Sequence, residues 1–327
     1  MAHLFAGASA DKVSGGLMKK LYRWLLIAAL FGWLFYGIDA SQLWRSFEKF
    51  NPFGLFITFL AVLLSDLLVA LRWYFLSGYK HSFISSFEAA MLAFFLNIFA
   101  PAKLGDISKI YYMHKKENHS LKESASIFLI ERLFDVALLG FIILFSAIFI
   151  YPNSAFVVLA LSLLLISVFL FYLLFDRPLL IKMVRYLPTK RIRVLALKIS
   201  KLIQKSLTWQ KAVGAALLTL LVWGGYYFNN FVFFFTATDF GLTLFQIFTA
   251  STLAFAVSAI PITPGGIGTF QAAFVLSLGW YGVPKEDALA ASITLQILYI
   301  LPAALVSLYL LLTKEFLWSK DVSAKKL

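Results

Sequence analysis

Residues 93–106 read Ala-Phe-Phe-Leu-Asn-Ile-Phe-Ala-Pro-Ala-Lys-Leu-Gly-Asp, and residues 256–269 read Ala-Val-Ser-Ala-Ile-Pro-Ile-Thr-Pro-Gly-Gly-Ile-Gly-Thr. In each, an apolar helical run is stopped by proline, which lacks the N–H that a helix interior needs. Each then restarts after glycine, which tolerates the backbone conformations of a tight turn. The two stretches align without gaps at an offset of 163, with Ala93 on Ala256, Pro101 on Pro264 and Gly105 on Gly268. At the same offset Lys122, Glu123 and Ala125 fall on Lys285, Glu286 and Ala288. Pro, Gly and Lys-Glu are scarce in this chain, so the agreements mark an internal repeat, with units at about 83–150 and 246–313.

The composition around these breaks is that of a membrane protein. Of 327 residues, 61% are hydrophobic and 14% charged, against about half and a quarter in soluble domains. This argues against a soluble enzyme, a disordered chain or a disulfide scaffold. Continuous apolar runs of helix-spanning length favour helices over a membrane barrel. Cysteine is absent, and His3, His81, His114 and His119 form no metal-binding helix pair, so neither a metal nor a cofactor is expected. The chain carries no phosphate-binding glycine loop and no nucleophile elbow.

Residues 1–17 are small and polar and read as a disordered tail or a remnant ahead of Met18-Lys19-Lys20. A single membrane domain is expected over 18–313, with a basic tail over 314–327. Full crossings are expected at about 21–38, 53–76, 126–150, 155–175, 212–236 and 288–312. The segment 176–211 is basic and weakly amphipathic, which suits a helix on the membrane surface.

The net charge of +13 decides how the broken segments are threaded. If 83–119 and 242–281 each return to their own side, the basic stretches 19–23, 103–122, 177–211 and 314–326 share one face. The opposite face then holds only Arg45, Lys49 and Lys285, offset by acids. If 83–100 crossed fully, two basic segments would lie outside, against the positive-inside rule. The expected fold is therefore an all-α polytopic membrane protein with six full crossings, two re-entrant helical hairpins and both termini cytoplasmic. Three crossings separate the hairpins, so the repeat is inverted, a recurring design of alternating-access transporters. The expected location is the cytoplasmic membrane of a bacterium or archaeon.

The hairpin tips are the first candidate site. Asn97, Pro101, Gly105, Asp106, Pro264, Gly265, Gly266, Gly268, Thr269 and Gln271 end or restart helices there. Asp106 and Thr269 are N-cap residue types at equivalent positions. Helix N-termini at membrane depth suit a phosphate or another anion, and Lys103 and Lys109 beside the first tip suit an anionic headgroup. The alternative is tight turns between packed helices. Glu131, Arg132 and Asp135 form the second candidate: the acids share a face at i,i+4, and Arg132 reaches Asp135 at i,i+3. The alternative for these is an ion-paired cluster at the inner interface. Asp66 raises the same question inside its own span, whereas Arg72-Trp73 reads as an interface anchor. Gln296, like Asn97 and Gln271, is a polar residue in an apolar run that interhelical hydrogen bonding explains. The basic 176–211 segment fits anionic lipid rather than nucleic acid.

The stretches Asn97–Lys109, Ile130-Glu131-Arg132-Leu133-Phe134-Asp135 and Pro261–Gln271, with Arg72-Trp73, resemble one family over about residues 20–312. It is the transmembrane region of lysylphosphatidylglycerol synthases and their stand-alone flippase-like relatives. The resemblance implies movement of lipids or lipid-linked headgroups between leaflets. Phe270 stands where the family often has an acid, and Lys109 where Arg is common. The length leaves no room for the aminoacyl-transfer domain, so synthase activity is not expected and the chain reads as a non-enzyme. The leading expectation is a flippase or transporter for a phospholipid or polyprenyl-linked headgroup. Alternatives are a transporter of a small amphipathic solute, a membrane-embedded transferase and an accessory subunit of a lipid-modifying enzyme. Membrane lipids are the expected partners; a homo-oligomer and a lipid-modifying partner enzyme are both compatible with the sequence.

Overall fold

The computed structural model describes residues 28–100, 105–149, 154–259 and 263–313. Among these, every regular element is a helix. A helical stretch over 28–35 leads into α1 (Ala40–Glu48), α2 (Pro52–Leu76), α3 (Phe83–Phe99), α4 (Gly105–Glu117) and α5 (Leu121–Phe149). There follow α6 (Ser154–Phe175), α7 (Arg177–Val184), α8 (Lys190–Ser206), α9 (Trp209–Thr236) and α10 (Leu244–Ala259). A short 3-10 turn (Pro264–Gly266), α11 (Thr269–Gly279) and α12 (Lys285–Leu312) complete the chain.

Local chemistry places many of these ends. Asn51 accepts from the Phe53 amide and is followed by Pro52, so α2 starts at a side-chain cap with proline in its first turn. Ser82 caps α3 through the Ile84 and Ser85 amides, and Asp176 caps α7 through Leu179. The expected basic surface helix is two helices, α7 and α8, and residues from Trp209 onward already belong to α9.

Among the described residues three helices, α2, α9 and α12, are long and apolar enough to cross a membrane. A fourth is reached if 160–173 and 178–184, bent by 107°, count as one span. The expected crossing at 126–150 lies in α5, whose charges Glu131, Arg132 and Asp135 leave only 136–149 uncharged. Of the expected first crossing, 21–27 lies outside the described residues and 28–35 is helical.

Side-chain contacts define two ends of the bundle. At one end the Asn51 amide bonds the Ala237 carbonyl at 3.0 Å, and Lys49 pairs with Asp287 at 3.0 Å. At the other, Lys80 faces Glu123 at 3.6 Å, and Ser126 of α5 reaches the Ile199 carbonyl of α8 at 3.5 Å. Basic α4 and α8 thus gather at the same end, the distribution expected from the charges. Helices α3 and α4 form an antiparallel pair with both open ends there, since Ser85 bonds Glu117 and Glu88 bonds Tyr112 (2.8 Å) and Lys116 (2.7 Å).

Small residues let the central helices approach closely, as is usual where lipid offers no hydrophobic drive. A Cβ at Gly54 of α2 would lie 2.2 Å from the Thr236 carbonyl oxygen of α9, and one at Gly225 would lie 2.6 Å from Ser65 Oγ. One apolar core joins Phe233, Phe234, Ile247, Phe274, Leu278, Leu289 and Leu295. Another joins Trp73, Leu92, Met113, Ile127 and Ile203, with Ile203 anchoring α8 to the bundle.

Candidate functional site

The charges Glu131, Arg132 and Asp135 of α5 do not stand apart from the rest of the bundle. Arg72 of α2 lies across them, 2% exposed. Its Nη1 and Nη2 donate to the two carboxylate oxygens of Asp135 at 2.6 and 3.2 Å, a two-pronged pairing, and its Nε donates to Glu131 at 3.2 Å. Lys109 of α4 donates to the other oxygen of Glu131 at 3.0 Å and sits 3.9 Å over the Trp73 ring. Arg132 reaches Asp135 at 3.1 Å and, more loosely, Asp106 at 3.9 Å. Asp106 accepts from Asn97 at 2.8 Å. Thr219 and Trp223 of α9 complete the shell, accepting from Arg72 at 3.2 Å and donating to Asp135 at 3.1 Å.

Three cations (Arg72, Lys109, Arg132) therefore meet three acids (Asp106, Glu131, Asp135), and the cluster is formally neutral. Such mutual pairing offsets the cost of removing the charges from water. Within the cluster Arg132 stands apart: its side chain is 39% exposed, and its Nε has no hydrogen-bond partner. Asn97 Oδ1 is likewise buried and unpartnered. The neutral cluster thus keeps one buried guanidinium donor, the Nε of Arg132, without a partner.

The sequence placed Glu131, Arg132 and Asp135 together, and they are together. It missed Arg72, read as an interface anchor. The signal was a charge balance: one Arg beside two acids leaves a carboxylate without a counter-ion. Lys109, considered as a headgroup attractor, is instead occupied by Glu131. Pro101 and Lys103 lie outside the described residues.

The second break is built from neutral groups. Gly265, Gly266 and Gly268 have φ of 61°, 71° and 90°, which only glycine adopts without strain. Gly268, not Thr269, is the N-cap of α11, and Gln271 Oε1 accepts from the Gly268 amide at 2.7 Å. Thr269 is the first helical residue and donates to the Gly266 carbonyl at 3.0 Å. Asp106, likewise, sits inside the first turn of α4 rather than ahead of it. Gln296 of α12 bonds Gln271 and donates to the Gly265 carbonyl at 3.0 Å. Pro264 opens the 3-10 turn, which rests on the end of α3: a Cβ at Gly265 would lie 3.0 Å from the Ile98 Cα. The two breaks are neighbours in space.

Among the described residues no group of three or more His, Asp or Glu stands arranged to hold a metal ion. A small, mostly apolar pocket lies elsewhere, between Ile143, Ala147, Thr249, Leu253, Ala256 and Trp280.

Two curated relatives are uncharacterised by name. The chain is 26% identical to the UPF0104 membrane protein MJ1078 of Methanocaldococcus jannaschii over 212 residues, covering 62% of this chain and 87% of the relative. It is 23% identical to the UPF0104 membrane protein MJ1595 of the same organism over 334 aligned positions, covering 93% and 96%. A family model described as the lysylphosphatidylglycerol synthase TM region matches residues 21–307, nearly all of the helical bundle just described, and the chain belongs to that family.

Proposed function

We propose that the protein moves a lipid with an anionic headgroup, a phospholipid or a polyprenyl-linked phosphate, between the leaflets of the cytoplasmic membrane. In this reading six helices cross, and the pairs α3–α4 and α10–α11 are re-entrant from opposite faces as an inverted repeat. Both termini are cytoplasmic. The observation that carries the proposal is the neutral charge cluster with one edge open at Arg132. A headgroup phosphate would exchange with Asp106, the more loosely held partner at 3.9 Å, and would take the unpaired Nε of Arg132. Arg72 and Lys109 would hold the two acids of α5 in place, so that the headgroup meets one free donor set rather than a diffuse positive field. The acyl chains would stay in lipid, which spares the protein a cavity for them.

The same pairing argues for transport over chemistry. Glu131 and Asp135 each accept from two cationic side chains and are not poised as general bases.

The test is translocation of a fluorescent phospholipid in proteoliposomes, read by reduction of the outer-leaflet label. Wild-type protein is expected to expose inner-leaflet label faster than protein-free vesicles. Equal rates with every phospholipid and polyprenyl phosphate tried, with and without ion gradients, would overturn the reading.

A further inference from the structure

Every acid of the cluster has a cationic partner, but one carboxyl group in the membrane core does not. Asp66 lies in α2, roughly 21 Å along the helix from Pro52 and roughly 15 Å from Leu76, and so deep within a segment long enough to span. It is 4% exposed, and its Oδ2 is buried without a hydrogen-bond partner. Among the described residues no Lys, Arg or His pairs with it. An unpaired ionisable group at such depth is retained against a solvation cost and marks a functional position by default.

We propose that Asp66 is the proton-exchanging carboxylate that couples lipid movement to a transmembrane proton gradient. The inference rests on the transport reading above and adds its energy source. The step is a simple one: a carboxylate oxygen gains one O–H bond from water open to one face and loses that proton to water open to the other. As a neutral acid, Asp66 can stay in the packed interface of α2. As a carboxylate it needs water or a donor. Its two states therefore favour different packings of α2 against its neighbours, which is what coupling requires.

The surroundings restrict who could compete for the proton. From α9, Tyr226 is within electrostatic reach of Asp66 and also of Arg72, Arg132 and Asp135. From α12, Tyr299 is within reach of Asp66 and Tyr226, and its hydroxyl donates to Asn230 at 2.5 Å. From α3 the only titratable side chain is Glu88, engaged by Tyr112 and Lys116. From α5 they are Lys122, Glu123, which faces Lys80 and His119 at the basic end, and Glu131, Arg132 and Asp135, the last three paired as described. On α2 itself, Arg72 is committed to α5.

Two readouts on the full-length protein test this. In proteoliposomes, a difference of one pH unit should shift the steady-state leaflet ratio of labelled lipid up to about tenfold, the limit for one proton per lipid. Asp66→Asn, a fixed mimic of the neutral acid, should move lipid with the ratio held near unity, and Asp66→Glu should restore the shift. Infrared difference spectra between acid and alkaline buffers should contain a protonated-carboxyl band that Asp66→Asn removes and Asp66→Glu displaces. Helix content and monodispersity identify a variant that fails to fold. If wild type moves lipid and Asp66→Asn keeps the full pH response, or if sodium replaces pH as the driving gradient, the inference is overturned while the transport reading stands. If wild type moves no lipid, the transport reading fails, and absence of an Asp66-dependent band overturns the inference separately.

Discussion

The two helix breaks occupy equivalent places in the sequence and are built from different materials. At the offset of 163, Gly105 matches Gly268, but Asp106 matches Thr269, Lys109 matches Ala272, and Glu131, Arg132 and Asp135 match Thr294, Leu295 and Leu298. Beyond the first break, six charged side chains of α2, α4 and α5 meet in one cluster. The second is held by amides and hydroxyls, with Gln271 and Gln296 bonding the turn carbonyls and amides. Glutamine side chains satisfy backbone groups at the second break, whereas the charged side chains near the first bond one another. Among those charged residues Arg132 keeps one buried donor, its Nε, without a hydrogen-bond partner. The two matched segments thus share turn glycines and differ in the side chains around them.

The strongest way to break the comparison is to remove the buried cation. Arg72→Met leaves Glu131 with Lys109 alone and Asp135 with Arg132 alone. Breaking a buried pair from one side costs about 3–5 kcal/mol, so most of the folded protein should be lost in detergent, as measured by thermal unfolding. A variant as stable as wild type would show that the cluster is not dry.

Arg132→Gln should separate function from stability. The side chain is partly exposed, so the unfolding temperature should change little, whereas loss of a charge-assisted bond worth about 1.5–3 kcal/mol predicts a ten- to hundredfold slower lipid translocation. Equal loss of stability and transport would make Arg132 a structural residue like Arg72.

At the second break, Gly268→Ala forces a side chain onto φ 90° and within 3.0 Å of the Phe31 ring. A strained residue of this kind costs about 1–3 kcal/mol, seen as a lower unfolding temperature with the headgroup preference unchanged. Altered headgroup preference would place ligand at the second break as well.

The smallest effect concerns His81 and His119, whose rings meet edge to face at 5.5 Å at the basic end. Burial holds both below the ordinary histidine range, so both are neutral in the native state. Their contribution is complete above the unfolded value of about 6.5 and is lost as pH falls below it towards the folded values. Unfolding temperature should therefore drop between about pH 8 and about pH 5, and the double variant His81→Gln/His119→Gln should flatten that drop.

Much of this was legible in the sequence, for physical reasons. Pro101, Pro264 and the glycines around them announce breaks because no partner is needed to stop a helix. Glu131, Arg132 and Asp135 announce a cluster because helical spacing alone brings them together. Arg72 was not legible as a partner, since its pairing depends on how α2 packs against α5, and Arg-Trp at a span end equally suits the interface. The counter-ion of Lys109 was not legible for the same reason: the charge is local, but Glu131 is on another helix. Thr269 was taken for a cap because its residue type caps well. Gly268 holds that place because the turn needs positive φ, and the capping acceptor comes from Gln271 three residues on. The polar roles of Gln271 and Gln296 were read correctly from their isolation among apolar neighbours.

The asymmetry between the breaks can be measured directly by photocrosslinking in the membrane. A photoreactive residue is placed at Phe128, whose ring lies 5.4 Å from the Arg132 guanidinium, and separately at Ile267 in the second break. The account predicts capture of radiolabelled anionic phospholipid at position 128, competed by unlabelled lipid and abolished by Arg132→Gln, with far less at position 267. Equal capture at both positions, or capture at 128 that survives loss of Arg132, would contradict it.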